Sequence, residues 1–267
     1  MNLPDATTDR LPQCLVAPAH CPPGAEPVAH RGGTVGVLVL HGFTGSPWEI
    51  RPVADALIAR GMTVAAPVLA GHATSIFALD ETTWSDWLTS ARQALDWLDA
   101  RCDRVHFVGL SMGCLLTVLL AQDRPAQRTG GVVLLAPAFA VGVWQRAALQ
   151  VFSRVGWPDY LGKSDPRLPG GIRPPCYHAM PVRATRQFLE LLDVVRSCAV
   201  PWALPTLVLH GTRDLTTPCV EACRRARRVL GPAARIETVA GAGHLLPRTR
   251  QGPQVVVDVV EFLEGCR

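Results

Sequence analysis

The chain has 267 residues, of which 48% are hydrophobic, and a formal net charge of +4 at pH 7. This length suits one α/β domain that carries an insertion, and the composition allows a sizeable buried core. The basic residues are scattered rather than grouped, so we expect no nucleic-acid partner.

Nine cysteines are spread along the chain without tight spacing. Cys219 and Cys223 lie one helical turn apart, but no second pair of cysteines or histidines completes a zinc site. We therefore expect no bound metal, and free thiols in a reducing cytosol.

The sequence shows no targeting or membrane segment. Residues 1–6 lack a basic region followed by an apolar stretch, so no signal peptide is expected. The longest apolar stretch, residues 130–144, contains Pro137 and is too short to span a bilayer. We expect a soluble, cytoplasmic protein without stable membrane insertion, and the oligomeric state stays open.

After an irregular start, the chain alternates between short apolar runs and amphipathic stretches. Residues 1–33 are rich in proline and lack periodicity, which predicts an N-terminal arm or an edge element. Residues 35–40 form a continuous apolar run, typical of a strand buried on both faces. Helical spacing follows at residues 47–60, before Gly61. Similar patterns predict strands at 62–66, 104–108, 132–135, 206–209 and 235–239, and helices at 83–101, 112–122, 218–230 and 254–263.

This alternation of strands and helices predicts βαβ units, and so an α/β fold with a mostly parallel sheet flanked by helices. One segment departs from this alternation of strands and helices, because residues 156–175 contain repeated glycine and proline. Long irregular segments in compact domains are usually functional or disordered. We interpret residues 141–180 as a small cap inserted into a main domain of residues 34–267, with a possible helix at Val141–Arg154.

The strongest motif is Gly109-Leu110-Ser111-Met112-Gly113, between a predicted strand and a predicted helix. In that setting a G-x-S-x-G sequence is typical of a nucleophile elbow, in which a sharp turn exposes the serine hydroxyl. Side chains larger than hydrogen at Gly109 and Gly113 would collide with the neighbouring strand and helix. The alternative is a tight turn that contains an inert serine.

A serine hydroxyl needs a base, and His244 follows the last predicted strand in a glycine-rich loop. Asp214 follows the preceding strand and is the predicted acid that orients the imidazole. The alternative for Asp214 is a structural role at the start of the next helix. The chain order Ser, Asp, His is that of α/β-hydrolases. The other histidines lie in the arm, in earlier loops, in strands or in the cap (His20, His30, His41, His72, His106, His178, His210).

A tetrahedral intermediate also requires donors for its oxyanion. We predict the backbone N–H of Met112, after the nucleophile, and that of Phe43 in the loop His41-Gly42-Phe43-Thr44-Gly45. The rival role for this loop is phosphate binding, but it lacks the lysine and the spacing of a P-loop.

Several motifs together resemble one family. They are HGFTG at 41–45, Gly-His at 71–72, TTWSDW at 82–87, GLSMG at 109–113, PTLVLHG at 205–211 with Asp214, and Gly-His at 243–244. With these motifs the chain resembles the bacterial carboxylesterase and monoacylglycerol lipase family of α/β-hydrolases. The resemblance implies the α/β-hydrolase fold with a small cap after the sixth strand, and the same triad and oxyanion donors. The chain departs from the family pattern at Ala73 and Cys114, where glycine is common.

The resemblance and the motifs together predict a serine carboxylic-ester hydrolase that acts through an acyl-enzyme, without a cofactor. The expected substrates are small molecules, namely short-to-medium-chain acyl esters or monoacylglycerols. Fold and triad alone also allow thioester or amide hydrolysis, carbon–carbon bond hydrolysis or acyl transfer. A degenerate hydrolase that only binds ligands is the non-enzymatic alternative.

Overall fold

A computed structural model describes residues 10–122, 124–140, 159–162, 168–197 and 202–266. This part of the chain contains nine strands and seven α-helices. The strands are β1 (Val28–His30), β2 (Val35–Leu40), β3 (Thr63–Ala66), β4 (Arg104–Leu110), β5 (Thr129–Leu135), β6 (Tyr160–Gly162), β7 (Ala179–Pro181), β8 (Thr206–Gly211) and β9 (Arg235–Val239). The helices are α1 (Arg51–Ala59), α2 (Ile76–Asp80), α3 (Trp84–Asp99), α4 (Met112–Gln122), α5 (Val182–Ser197), α6 (Cys219–Leu230) and α7 (Gly252–Gly265).

Seven strands form one sheet in the order β1-β3-β2-β4-β5-β8-β9. Strand β1 pairs antiparallel with β3, and all the other pairs of this sheet are parallel. The central strands are apolar at consecutive positions because helices cover both faces of the sheet. The predicted fold class, a mostly parallel sheet flanked by helices, is therefore confirmed.

The helices divide between the two faces. Helices α1 and α7 pack on one face through Val53, Leu57, Val255 and Val259. On the other face lie α3, α4, α5 and α6. Helix α4 is the most enclosed of these, since every residue from Met112 to Ala121 is buried. An apolar sequence all round a helix requires such burial.

The register of the parallel strands brings their carboxyl ends to one edge of the sheet. Leu40 at the end of β2 pairs with Gly109 of β4, and Leu110 pairs with Leu135 of β5. On the far side, Gly211 at the end of β8 pairs with Val239 of β9. The loops that follow these strands therefore begin side by side, which is where ligands bind in open α/β sheets.

The predicted strands and helices of the sheet region are found with shifts of only a few residues at their ends. Helix α5 was not predicted. Its charged residues alternate closely with apolar ones, and it begins directly after Pro181, beside the segment with many glycines and prolines. It is held by buried Leu191, Leu192 and Val195, which join the core that α4 also lines.

The irregular segment leaves the sheet after β5. That is the fifth strand of the described chain, whereas the resemblance implied the sixth. Strands β6 and β7 form a separate antiparallel pair within this segment. The helix predicted at Val141–Arg154 lies outside the described residues.

Candidate active site

Ser111 lies on the sharp turn between β4 and α4. Its backbone φ is 55°, in the left-handed region that L-residues with a side chain rarely adopt. Its backbone N–H donates to Leu135 O at 2.9 Å, which fixes the turn against β5. A Cβ at Gly109 would lie 2.7 Å from the backbone of Gly113, and one at Gly113 would lie 2.3 Å from Leu40 O. The close approach at these two positions therefore requires glycine.

The three side chains predicted from the sequence meet at the sheet edge. His244 Nε2 lies 2.9 Å from Ser111 Oγ. His244 Nδ1 lies 2.7 Å from Asp214 Oδ2. Because a carboxylate only accepts, Nδ1 donates to Asp214 and Nε2 is left to accept the proton of Ser111. The side chain of His244 is 15% exposed and that of Asp214 is 0% exposed, so solvent reaches the imidazole but not the carboxylate.

The surroundings of Asp214 keep it ionised. Burial of the carboxyl group opposes the charge, but hydrogen bonds from His210, His244 and the backbone of Thr217 outweigh it and hold the pKa of Asp214 well below its usual range. Backbone N–H groups of Thr216 and Thr217 donate to Oδ1 at 2.8 and 2.9 Å. The carboxylate is therefore charged at neutral pH and can stabilise a protonated His244.

From the sequence, His210 is expected only to lie in or at the end of a strand, and its contact with Asp214 is not predicted. Its Nε2 lies 3.2 Å from Asp214 Oδ2, and both side chains are fully buried. The signal was present as the spacing His-Gly-x-x-Asp at the end of a strand, which places the two residues four apart around one turn of the loop.

The loop after β2 lies directly against Ser111. A Cβ at Gly42 would be 3.2 Å from Ser111 Cβ, so the backbone around Phe43 passes close to Ser111. The Phe43 ring stacks on Phe188 of α5, with centroids 5.5 Å apart and 11° between the planes. Met112 is the first residue of α4, and the first N–H groups of a helix have no partner within it. Both predicted oxyanion donors thus flank Ser111.

Two buried histidines brace this loop. His41 Nδ1 donates to Gly42 O at 2.9 Å, while its Nε2 accepts the N–H of Leu69 at 3.2 Å. His72 Nε2 accepts the N–H of Thr44 at 3.2 Å. Burial lowers the pKa of His41 to about 4, so this ring is neutral at physiological pH. The neutral form is the one that can accept from Leu69.

The end of the irregular segment is tied to the same loops. The backbone N–H of Tyr177 donates to Thr44 O at 3.0 Å. The Tyr177 hydroxyl donates to Gly71 O at 2.9 Å and accepts the N–H of Thr74 at 3.0 Å. Ser46 Oγ donates to Pro175 O at 3.0 Å. Residues 175–177 therefore form a fixed border beside the loop that carries Phe43.

The two departures from the family pattern have structural consequences. Cys114 Sγ lies 3.1 Å from Gly109 O and 3.4 Å from Leu135 O, within the elbow itself. Burial raises the pKa of its thiol well above the usual value, so Cys114 packs as a neutral group. Ala73 adopts a φ of 49°, where glycine would be less strained.

Within the described ranges, no group of three or more His, Cys, Asp and Glu side chains is placed to hold a metal ion. None of the helices seen in those ranges is both long and apolar enough to cross a membrane.

Comparisons with known proteins match this architecture. The model of the alpha/beta hydrolase family matches residues 37–259. A thermostable monoacylglycerol lipase of Bacillus sp. (strain H-257) is 30% identical over 245 residues, which cover 90% of this chain and 94% of that lipase. A carboxylesterase of Bacillus subtilis (strain 168) is 25% identical over 242 residues, covering 90% of this chain and 96% of the esterase.

Solved structures give the same result. A metagenome-derived lipolytic enzyme has a TM-score of 0.80 at 28% identity, covering 91% of this chain and 98% of its own. The monoacylglycerol lipase of Paleococcus ferrophilus has a TM-score of 0.72 at 20% identity, covering 91% and 100%, and shares the fold. These matches confirm the resemblance that the motifs indicated: the chain belongs to the alpha/beta hydrolase family.

Proposed function

We propose that this enzyme hydrolyses carboxylic esters through an acyl-enzyme, with Ser111 as nucleophile, His244 as general base and Asp214 as the acid that orients it. The observation that carries the proposal is the unbroken chain of contacts from Asp214 Oδ2 through the imidazole to Ser111 Oγ, at 2.7 and 2.9 Å. These are hydrogen-bond distances at which a base can take up the serine proton.

The reaction has two halves. Ser111 Oγ attacks the ester carbonyl while His244 Nε2 takes its proton, and the backbone N–H groups of Phe43 and Met112 bind the oxyanion that forms. His244 then returns the proton to the leaving alcohol, and the acyl group stays on Ser111. Water, deprotonated by the same histidine, attacks the acyl-enzyme, and His244 then gives this proton to Ser111 Oγ as the bond to the acyl group breaks and the acid is released. Each oxyanion donor contributes about a hundredfold to a thousandfold in rate.

The relatives support the proposed substrate class. Two of them are named a monoacylglycerol lipase and a carboxylesterase. We propose that short-to-medium-chain acyl esters or monoacylglycerols are the substrates here, that no cofactor is needed and that the protein is cytoplasmic. Residues 141–180 are proposed to form a cap that covers the site and selects the acyl chain. The ordered border at 175–177 supports the cap, because it lies beside the oxyanion loop.

The test compares the wild type with Ser111→Ala on p-nitrophenyl esters and monoacylglycerols of increasing acyl length. We expect the variant to keep its thermal unfolding temperature and to lose both ester turnover and labelling by a fluorophosphonate probe. Ser197→Ala is the matched control, because Ser197 is an exposed serine at the end of α5 that donates to Val194 O. Unchanged turnover in Ser111→Ala would refute the proposed nucleophile.

A further inference from the structure

His210 has no task in the mechanism above, although it touches the proposed acid. It lies in β8 and its side chain is fully buried. Its Nε2 is 3.0 Å from Thr217 O and 3.2 Å from Asp214 Oδ2. A carbonyl and a carboxylate oxygen can only accept, so Nε2 must carry a proton that the two oxygens share.

The other ring nitrogen fixes the protonation state. Nδ1 of His210 is buried and has no hydrogen-bond partner within the described part of the chain. A proton on Nδ1 would be a buried donor without an acceptor, which is costly. The ring is therefore neutral, with its single proton on Nε2, and acts as a donor toward the acid loop.

The contacts of His210 complete a closed arrangement around Asp214. Thr217 donates its backbone N–H to Oδ1 at 2.9 Å, while its carbonyl accepts from His210. His244 and His210 approach the same oxygen, Oδ2, at 2.7 and 3.2 Å. With Oδ1 held by backbone and Oδ2 by two imidazoles, the carboxylate cannot rotate away from His244.

We propose that His210 is a positioning residue for the reaction: its Nε2–H holds the acid loop through Thr217 and keeps Oδ2 of Asp214 aimed at His244. This inference rests on the proposed triad. It assigns to a second histidine the task of fixing the acid, and gives it no contact with the substrate.

Replacement of His210 by phenylalanine keeps an aromatic ring at this position and removes the N–H donor. Replacement by glutamine can place an amide N–H near the position of Nε2. We expect kcat of His210→Phe to fall by about tenfold to a hundredfold, with KM within about twofold, because the buried ring does not touch the substrate. Asp214 would have one donor fewer and would stabilise protonated His244 more strongly. The half-maximal pH of kcat/KM should therefore rise by about 0.5 to 1. His210→Gln should restore most of the wild-type kcat and most of the wild-type half-maximal pH.

The matched control is His106→Phe. His106 is another buried histidine of the same sheet, in β4, whose Nδ1 accepts the N–H of Gly131 at 2.8 Å. Its replacement removes a buried hydrogen bond away from the acid loop, so stability should fall while the half-maximal pH stays unchanged. Wild-type kcat and half-maximal pH in His210→Phe would overturn the proposal, as would an equal pH shift in His106→Phe.

A measurement on the wild type covers the case in which the variants fail to fold. NMR of protein labelled with ¹⁵N-histidine distinguishes the two neutral tautomers of His210. A proton on Nε2 is expected, and a proton on Nδ1 would overturn the proposal because Nε2 could then not donate. This result does not depend on turnover. Absence of ester hydrolysis by the wild type would count against the proposed function, while the tautomer would still decide the role of His210.

Discussion

Asparagine at position 214 would keep the shape of the acid and replace one acceptor oxygen by a donor. Oδ1 accepts the backbone N–H groups of Thr216 and Thr217 at 2.8 and 2.9 Å, so the amide oxygen would take this place. The amide NH₂ would then face His244 Nδ1, which donates to Oδ2 at 2.7 Å in the wild type. Because two donors cannot pair, His244 would move its proton from Nδ1 to Nε2.

A proton on Nε2 prevents His244 from accepting the proton of Ser111, whose Oγ lies 2.9 Å away. We expect kcat of Asp214→Asn to fall by about four orders of magnitude, which corresponds to about 5 kcal/mol in the activation barrier. The assay is the initial rate on a p-nitrophenyl ester. Asp55→Asn is the control, because Asp55 pairs with Arg51 on the surface and should leave kcat unchanged. A kcat of Asp214→Asn within tenfold of the wild type would refute the tautomer argument.

Two further predictions concern stability. Burial lowers the pKa of His41 from 6.5 to about 4, so between these pH values the unfolded chain binds more protons than the folded one. Stability that is fully present above pH 6.5 should therefore fall by about 3 kcal/mol as the pH drops to 4. Urea unfolding at several pH values in this window measures how the free energy of unfolding changes with pH. An equal pH dependence in His41→Asn would contradict the assignment of this effect to His41. Gly113→Ala places Cβ 2.3 Å from Leu40 O and should lower the free energy of unfolding by about 3 kcal/mol or more, as measured by thermal unfolding. Gly265→Ala, with no atom within 4 Å, should change stability by less than about 1 kcal/mol, and similar losses in both variants would contradict the steric argument.

The parts of the fold that the sequence predicted best are those whose burial is complete. Residues of β2 are apolar in succession because both faces of the sheet are covered, and the prediction at 35–40 matches the observed bounds. Helix α5 carries the opposite pattern. Only one side of it is buried, and charged residues such as Arg186 and Glu190 form ion pairs on the exposed side. Its packing against the core, which the sequence does not display, is what identifies it.

The residues of the candidate site also differ in how well the sequence predicts them. Ser111, Asp214 and His244 were selected because each follows a predicted strand, and parallel strands bring such positions to one edge. The role of His210 depends on which ring nitrogen faces the carboxylate, and this direction is a property of the folded loop. Spacing alone placed His210 at a strand end, where a structural role is the ordinary interpretation.

The hydrogen bonds at residues 175–177 fix the end of the irregular segment beside the loop that carries Phe43. Tyr177 is bonded to Thr44 and Gly71, so the chain that returns from the irregular segment is anchored before it reaches α5. Sequence or length can therefore change between residues 141 and 173 without displacing the backbone beside Phe43. If residues 141–180 form the proposed cap, exchange of this stretch between relatives with the anchor retained should change the acyl-chain preference and leave the proposed triad in place.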